Sequence, residues 1–208
     1  MNLEPIVHLR TADPVLGDLI ARVGPLEPVG PAIHGQPDAH FGALVRSIVG
    51  QQLSTHAARA IAARLHNFFA GHAPTPQDVL AADLDEMRVA AGLSRAKASY
   101  LRSLAEHVQS GELELERLDD LSDAQVIAQL TVVRGLGEWT AQMFLMFHLA
   151  RPDVLPTGDL GIRKAVHRAY GLAELPAPAE LERIALPWRP FRTTACRFLW
   201  RSLDLKPL

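Results

Sequence analysis

Hydrophobic positions along this chain of 208 residues recur mainly with the period of an α-helix. In the clearest case, five apolar residues fall at i, i+3, i+4, i+7 and i+8 on one helix face: Phe41, Leu44, Val45, Ile48 and Val49. A second apolar stripe runs from Ala57 to Phe69, and Ser54 stands before it at a suitable N-cap position. No convincing alternation of apolar and polar residues extends over six positions. The pattern therefore predicts an all-α fold.

Proline and glycine residues mark the ends of the other helices. Pro76 and Pro178 suit the first turn of a helix, and Gly92, Gly111 and Gly171 suit its C-terminal end. The pattern predicts helices over 14–23, 76–90, 94–110, 122–131, 137–150, 159–170, 178–186 and 190–203.

Proline spacing and the order of the helices suggest three segments. Residues 1–40 form an N-terminal segment that packs on the C-terminal lobe, and its part up to residue 38 contains one short helix and then an irregular loop. Residues 41–130 form a helical lobe, and residues 131–208 form a lobe with a glycine hairpin, a carboxylate-bearing loop and the C-terminal helices. Two helical lobes predict a cleft between them.

Composition and charge narrow the functional classes. Apolar residues make up 48% of the chain, as in a globular protein, and the formal net charge is −2. Nucleic-acid-binding domains are usually basic, so any DNA contact requires a local basic patch. Cys196 is the single cysteine, which excludes a four-cysteine iron–sulfur cluster and indicates a reducing compartment. With neither a signal-peptide pattern nor a long apolar run, we expect a cytoplasmic monomer without a membrane partner.

The segment from Val133 to Gly137 (VRGLG) predicts a short hairpin between two helices. Gly135 and Gly137 permit positive φ and a close approach of the backbone to another molecule. The N–H groups at the start of the next helix can bind a phosphate oxygen, while Leu136 plugs into the core. An ordinary helix–helix turn is the alternative interpretation. The flanking helices favour a helix-hairpin-helix arrangement that holds DNA without reading its sequence.

A second glycine-bearing loop, Leu155 to Gly158, leads to Asp159 at the start of a helix. Aspartate is a good N-cap, and this structural role fits the position by itself. A carboxylate can also stabilise an oxocarbenium-like sugar while a glycosidic bond breaks, or help a water molecule attack the anomeric carbon. The sequence therefore makes Asp159 a candidate catalytic residue as well as a cap.

Basic residues gather on one side of the helix that Asp159 begins: Arg163, Lys164, His167 and Arg168. This group supplies the local patch that the near-neutral net charge requires. A solvated helix face is the alternative interpretation of such a run. Its closeness to the hairpin favours phosphate contacts, which make binding strongly dependent on salt.

The hairpin, the glycine- and proline-bearing loop and the aspartate together resemble the signature of the helix-hairpin-helix DNA glycosylase superfamily. Residues 38–204 are similar to its DNA-3-methyladenine glycosylase II (AlkA-type) branch. Phe41 to Ser54 (FGALVRSIVGQQLS) resembles the helix and intercalating loop of that branch. Leu93 to Leu101 (LSRAKASYL) resembles its G-x-S-x-x-K-x-x-Y-L segment. The resemblance implies two helical lobes, with a flipped-out base in the cleft beside the hairpin.

The resemblance also implies roles for individual residues. Asp159 matches the catalytic aspartate, and Gln52 or Leu53 matches the wedge that replaces the flipped base in the stack. The implied DNA-binding residues are Gln52, Leu53, Arg134, Gly135, Gly137, Arg163 and Lys164. A monovalent cation, Na⁺ or K⁺, is implied at three backbone carbonyls, those of Thr131, Val133 and Leu136.

Trp139 separates two mechanisms within the superfamily. Bifunctional relatives carry at the matching position a lysine that forms a Schiff base with the sugar, whereas an indole is no nucleophile. A tryptophan can instead stack on a positively charged alkylated base. Trp200, Met143 and Leu160 are the other implied pocket residues. Core packing is the alternative for both tryptophans.

The sequence thus predicts a monofunctional DNA glycosylase that acts on double-stranded DNA and leaves an abasic site. The expected substrates are 3-methyladenine and 7-methylguanine. Met143 and Gly161 stand where one branch has larger side chains, so 1-methyladenine and 3-methylcytosine are conceivable. The chemistry needs no cofactor. Two alternatives stay open: a bifunctional glycosylase/lyase for oxidised bases, and a non-catalytic module that binds DNA damage.

Overall fold

The computed structural model describes residues 3–27 and 37–205, and within these ranges the chain is all-α. The helices are α1 (Glu4–Ala12), α2 (Pro14–Val23), α3 (Pro37–Gly50), α4 (Thr55–Phe68), α5 (Pro76–Ala81), α6 (Leu84–Ala91), α7 (Arg95–Ser110), α8 (Asp123–Thr131), α9 (Glu138–Phe147), α10 (Leu160–Tyr170), α11 (Pro178–Ile184) and α12 (Arg192–Ser202). Two short 3₁₀ helices cover Leu115–Arg117 and Leu186–Trp188. No helix in the described ranges is long and apolar enough to cross a membrane.

The chain divides into two compact units. One, called here the terminal unit, comprises Met1–Gly30 and Ala150–Leu208. In it, α2 packs on α1, α10 and α12. Its core holds mainly large apolar side chains: Leu9, Leu16, Leu19, Ile162, Val166, Trp188 and Phe198.

The other unit, called here the central unit, comprises Pro31–Leu149. In it, α3 contacts α4, α7 and α9. The apolar stripe predicted for α3 is confirmed, since all five of its residues from Phe41 to Val49 are buried. His40 is fully buried beside this stripe, and its ring lies 2.8 Å from His148 Nε2 and 3.3 Å from Asp119 Oδ2.

The sequence-based boundary after residue 130 differs from this division. Residues 131–149 belong to the central unit, because α8 packs on α9 across the hairpin and α9 packs on α3. Two expectations about helices are wrong. The first 38 residues contain α1 and the start of α3 as well as α2, and the helix predicted over 76–90 is two helices. Much of the irregular loop predicted after Val23 lies outside the described residues.

Both errors have local causes. Helix α1 buries only Leu9, and its Val7 is exposed, so it lacks the apolar stripe that identifies a helix in sequence. The second helix of the 76–90 segment begins at an N-cap, because the carboxylate of Asp83 accepts hydrogen bonds from the N–H groups of Asp85 and Glu86, each at 2.9 Å.

Buried Asp13 connects three parts of the terminal unit. Its Oδ1 accepts the N–H of Leu16 at 3.1 Å and caps α2. Its Oδ2 accepts the hydroxyl of Tyr170, at the end of α10, and the indole N–H of Trp188 at 2.8 Å. Burial, and then the bond to Asp13, raise the pKa of Tyr170, so the phenol keeps its proton and remains a donor.

We predict that Asp13→Asn lowers the free energy of unfolding by about 2 kcal/mol. An amide nitrogen in place of Oδ2 is a donor that faces the indole N–H donor of Trp188, so this hydrogen bond is lost. Urea denaturation measures this difference. Asp18→Asn, at an exposed position on α2, is the control and should leave stability nearly unchanged. Equal stability of both variants and the wild type would contradict the role of Asp13.

Candidate functional site

The loop before Asp159, residues 150–158, is held by the first turn of α12. The guanidinium of Arg192 binds Asp153 through two parallel bonds, Nε to Oδ1 at 2.6 Å and Nη2 to Oδ2 at 2.9 Å. The hydroxyl of Thr193 donates to the carbonyl of Arg151 at 2.7 Å and accepts the N–H of Val154 at 3.1 Å. This segment, the acid loop, is therefore fixed through its backbone as well as through a charged pair.

Asp159 is held by two donors that converge on one oxygen. Its Oδ1 accepts the N–H of Ile162 at 2.7 Å, which confirms the predicted N-cap of α10. The same atom accepts the indole Nε1–H of Trp200 at 2.9 Å. Both donors, together with the N-terminal end of the α10 dipole, stabilise negative charge on this oxygen. The half-buried carboxylate is thereby oriented from two sides.

One face of α12 carries the residues that hold this arrangement. Thr193, Cys196 and Trp200 are spaced i, i+3 and i+7, so they lie above one another on the helix. The Sγ of Cys196 lies 4.0 Å from the carbonyl oxygen of Val154 in the acid loop. Burial, and then the charge of Asp159, raise the pKa of the Cys196 thiol, so it stays protonated at neutral pH and serves as packing.

Gly161 makes the contact between Trp200 and Asp159 possible. A Cβ at this position would lie 3.0 Å from Asp159 Oδ1 and 3.1 Å from Trp200 Nε1. The sequence suggested that the missing side chain opens a pocket. In the structure, Trp200 and Asp159 occupy the space beside Gly161, so the glycine allows them to bond.

The hairpin, residues 132–137, joins α8 to α9 in the central unit. Its two glycines differ in backbone conformation and in the space around them. Gly135 has a φ of 92°, and a Cβ there would lie 2.3 Å from the ring of Tyr100. Gly137 has an ordinary φ of −91°, and a Cβ there would meet nothing within 4 Å. Leu136 is buried, as predicted. The conformation thus requires glycine at 135, whereas Gly137 leaves the surface before α9 open.

Three side chains that received no role in the sequence interpretation hold the hairpin and the loop before α4. The amide of Gln51 donates to the carbonyl of Gly135 at 2.7 Å. The ring of Tyr100 packs against Gly135, and the guanidinium of Arg134 lies 6.0 Å from the ring centre. Lys97, one turn before Tyr100 on α7, donates to two carbonyls at the end of α3, and partial burial lowers the pKa of Lys97.

The predicted wedge residues lie at the tip of the loop between α3 and α4, residues 51–54. Gln52 is exposed and has a φ of 57°, a left-handed conformation that is uncommon for a residue with a Cβ. Leu53 is 39% exposed although it is apolar. A strained backbone and an exposed leucine are features of a loop whose form serves an external contact.

Helix α9 presents an apolar face that is not covered by the core. Trp139 is 50% exposed, Phe147 is 45% exposed, and Met143 between them is half-buried. The spacing i, i+4 and i+8 aligns the three on one side of the helix. This exposure argues against core packing for Trp139. Phe147 was missed in the sequence, although its spacing from Trp139 would have identified it.

Two arginines of the basic patch on α10 form hydrogen bonds to backbone carbonyls within the protein. Arg163 donates from Nε to the carbonyl of Pro176 at 2.8 Å, and Arg168 donates from Nη2 to the carbonyl of Leu205 at 3.2 Å. Lys164 is exposed, and so is Leu160 one turn earlier. Lys164 is therefore the predicted cation of this helix best placed for an external anion.

The structure groups the predicted residues within each unit. The terminal unit holds the carboxylate, its tryptophan and the basic patch: Asp159, Leu160, Arg163, Lys164 and Trp200. The central unit holds the loop tip, the hairpin and the apolar face of α9: Gln52, Leu53, Thr131, Val133, Arg134, Gly135, Leu136, Gly137, Trp139 and Met143.

Comparisons with known proteins identify similar chains across most of this length. A family model described as HhH-GPD superfamily base excision DNA repair protein matches residues 45–190. DNA-3-methyladenine glycosylase 1 of Schizosaccharomyces pombe is 33% identical over 201 residues, which are 96% of this chain and 86% of that protein.

Solved structures show the same similarity. A crystal structure of a DNA-3-methyladenine glycosidase from Bacillus halodurans superposes with a TM-score of 0.81 at 35% identity, over 96% of this chain and 89% of that chain. The structure of the 3-methyladenine DNA glycosylase Mag1 of Schizosaccharomyces pombe with abasic DNA gives a TM-score of 0.82 at 32% identity, over 97% of each chain.

We predict that Gly161→Ala weakens the bond between Trp200 and Asp159, because a Cβ 3.0 Å from Oδ1 and 3.1 Å from Nε1 forces these atoms apart by a few tenths of an ångström. In an NMR spectrum, the indole N–H resonance of Trp200 should shift upfield. Alanine favours the helix by up to about 1 kcal/mol, which offsets part of the weakened charge-assisted bond, so stability should change little.

Gly158→Ala is the matched control, since a Cβ there meets nothing within 4 Å. It should leave the Trp200 resonance in place. An unshifted resonance in Gly161→Ala would show that the contact tolerates the methyl group and would contradict the role given to this glycine.

Proposed function

We infer the function from the premise that this chain belongs to the HhH-GPD superfamily of base excision DNA repair proteins. The chain is a monofunctional DNA glycosylase, which hydrolyses the N-glycosidic bond of a damaged base. We propose that it acts as a monomer on alkylated bases in double-stranded DNA. The observation that carries the assignment of the site is the convergence of Ile162 N–H and Trp200 Nε1–H on Asp159 Oδ1.

Asp159 supplies the negative charge that the reaction needs. When the bond from C1′ to the base nitrogen breaks, the electron pair leaves with the base and positive charge develops on the sugar. A carboxylate held in a fixed orientation stabilises that charge without reorganising during the reaction. Water then adds to C1′ and loses a proton, which leaves an abasic site. Trp200 and Ile162 are the groups that keep the carboxylate in position.

Alkylated purines suit a site of this kind. A base alkylated at N3 or N7 carries a positive charge, and the departing electron pair neutralises it, so the leaving group needs no proton from the enzyme. The exposed indole of Trp139 can stack on such a cationic ring. Relatives named DNA-3-methyladenine glycosylase support this substrate class. We place 3-methyladenine and 7-methylguanine first, and 1-methyladenine and 3-methylcytosine after them.

Trp139 also supports the monofunctional reaction. It stands where a lyase of the superfamily carries its lysine nucleophile, and an indole cannot form a Schiff base with the opened sugar. Met143 and Phe147, which share its face of α9, extend the apolar surface offered to a base.

DNA contact is proposed for the loops that present backbone groups and cations. The N–H groups at the start of α9, behind Gly137, suit a phosphate oxygen. Arg134 in the hairpin and Lys164 on α10 are exposed cations, and Arg163 contributes less because it donates to Pro176. Leu53, with Gln52 beside it, suits insertion into the stack when the damaged base flips out.

A monovalent cation at the hairpin is a further part of this proposal. Thr131 ends α8, so its carbonyl lies in the turn whose oxygens lack partners within the helix. The carbonyl of Val133 accepts the N–H of Leu136 at 3.0 Å and keeps a second lone pair. Together with the carbonyl of Leu136, these oxygens fit the chemistry of Na⁺ or K⁺. A bound ion would supply positive charge for a DNA phosphate.

We predict that Asp159→Asn abolishes most base release while DNA binding persists. Asparagine is also a good N-cap, so the start of α10 should be retained while the charge is lost. Removal of a preorganised electrostatic group costs on the order of 10²–10³ in rate. Release of bases from methylated duplex DNA, measured under single turnover, gives the rate, and affinity for duplex containing an abasic-site analogue gives the control.

Three other outcomes would contradict the proposed mechanism. Equal release by the variant and the wild type would remove Asp159 from the mechanism. Intact binding without release by the wild type would favour the non-catalytic damage-binding module. Covalent trapping of the wild type on DNA by borohydride would reveal a lyase and refute the monofunctional assignment.

We predict that Trp139→Ala selectively impairs the release of cationic bases. The loss of a desolvated cation–π contact of about 1–2 kcal/mol lowers kcat/KM for 7-methylguanine about tenfold. Affinity for duplex containing an abasic-site analogue, which carries no base to stack on, should fall less, and Trp139→Phe should retain part of the activity. An equal loss of base release and of abasic-site affinity would show that Trp139 does not act on the cationic base.

A further inference from the structure

Lys97 holds the end of α3 from a neighbouring helix. Its ammonium group donates to the carbonyl of Val49 at 2.7 Å and to the carbonyl of Gln51 at 2.8 Å. The last carbonyls of a helix lack intrahelical partners and carry the negative end of its dipole, so a cation is favoured there. Lys97 thereby fixes the peptides immediately before the exposed loop tip.

Gln51 extends this connection to the hairpin. Lys97 holds its backbone carbonyl, while its side-chain amide donates to the carbonyl of Gly135 at 2.7 Å. Tyr100, one turn after Lys97 on α7, packs against the same glycine. One face of α7 therefore supports both the loop between α3 and α4 and the hairpin.

The next residue explains why such support is needed. Gln52 has a left-handed φ of 57°, which a residue with a Cβ keeps only when its surroundings impose it. The peptide before Gln52 is the one whose carbonyl Lys97 binds. Without that bond, the residue can relax to negative φ, and Leu53 would no longer project from a fixed loop.

We propose that Lys97 is a positioning residue that fixes the loop 51–54 relative to the hairpin, so that both contact one DNA duplex in a single register. This inference rests on the proposed glycosylase function. A wedge has to enter the stack at a set distance from the phosphates that the hairpin holds, since the base step and the backbone are covalently connected. Lys97 acts through Gln51 and does not touch the substrate.

The connection itself can be tested in the free protein by amide hydrogen exchange. We expect Lys97→Met to speed exchange about tenfold in residues 51–54, because the carbonyls of Val49 and Gln51 each lose a charge-assisted hydrogen bond. Exchange in the hairpin should speed up as well, because Gln51 then holds Gly135 less firmly. Arg117→Met is the matched control. It removes one positive charge from an exposed side chain of the same unit and should leave both loops unchanged.

Function is tested with single-turnover base release from methylated duplex DNA. Lys97→Met should slow release about tenfold, with affinity for undamaged duplex close to that of the wild type. The loss of two charge-assisted bonds should also lower the melting temperature, so the rates are compared at a temperature at which both proteins are fully folded. Fluorescence of 2-aminopurine opposite the lesion should rise less on binding, which reports incomplete wedge insertion. Lys97→Arg, which can still donate to two carbonyls, should restore part of the rate.

A second variant tests whether the effect passes through Gln51. Gln51→Met removes the bond to Gly135 without changing charge, and it should slow release to a similar extent. Combined with Lys97→Met, it should add little, because both substitutions interrupt one connection. Additive losses would overturn the proposed coupling.

Unchanged hairpin exchange in Lys97→Met would also overturn the inference, and so would an unchanged release rate in both single variants. Either result leaves the glycosylase assignment intact when the wild type releases bases. If the wild type releases none, the proposed function fails, and hydrogen exchange still decides whether Lys97 couples the two loops.

Discussion

The bond between Trp200 and Asp159 is the interaction on which the geometry of the candidate site in the terminal unit depends. A carboxylate that starts a helix is common and is ordinarily held only by N–H groups of the first turn. Here a second donor, on a helix distant in sequence, fixes the same oxygen, and Gly161 leaves the space that this contact needs. The first turn of α12 then holds the loop from which the aspartate projects. One helix thereby sets both the position and the orientation of the acid.

The central unit follows a different principle, because its contacts with DNA are proposed to come largely from backbone groups. Main-chain N–H and C=O groups cannot be placed by their own side chains, so neighbouring helices have to hold them. Lys97 and Gln51 perform this task by donating to three carbonyls, and Tyr100 by packing against Gly135. Side chains that never touch the substrate can therefore decide whether the site works.

The positions of the charged side chains in this protein matter more than their total number. Several arginines donate to backbone carbonyls within their own unit: Arg64 to Ala91, Arg102 to Ala82, and Arg163 to Pro176. Another, Arg192, is paired with Asp153 in the acid loop. A net charge of −2 consequently says little about DNA binding, since several cations serve the fold and DNA contact depends on where the exposed ones lie.

The sequence by itself determined the helical class, most of the helix ends and the two segments that carry the chemistry. These features depend on residues close in the chain: the apolar period of α3, the cap at Asp159, and the glycines around Leu136. The break between α5 and α6 also depends on nearby residues, since Asp83 caps the start of α6. The sequence interpretation did not recognise this cap because it lies within a continuous apolar pattern.

Only the tertiary structure decided which residues hold the site. Residues 131–149 belong to the same compact unit as α3, Trp200 bonds to Asp159, and Lys97 binds the carbonyls of Val49 in α3 and of Gln51 just after it. The sequence marked Trp200 as a pocket aromatic and gave Lys97 no role. Such contacts join positions about 40 or more residues apart, and local periodicity carries no information about them, because they depend on how helices pack.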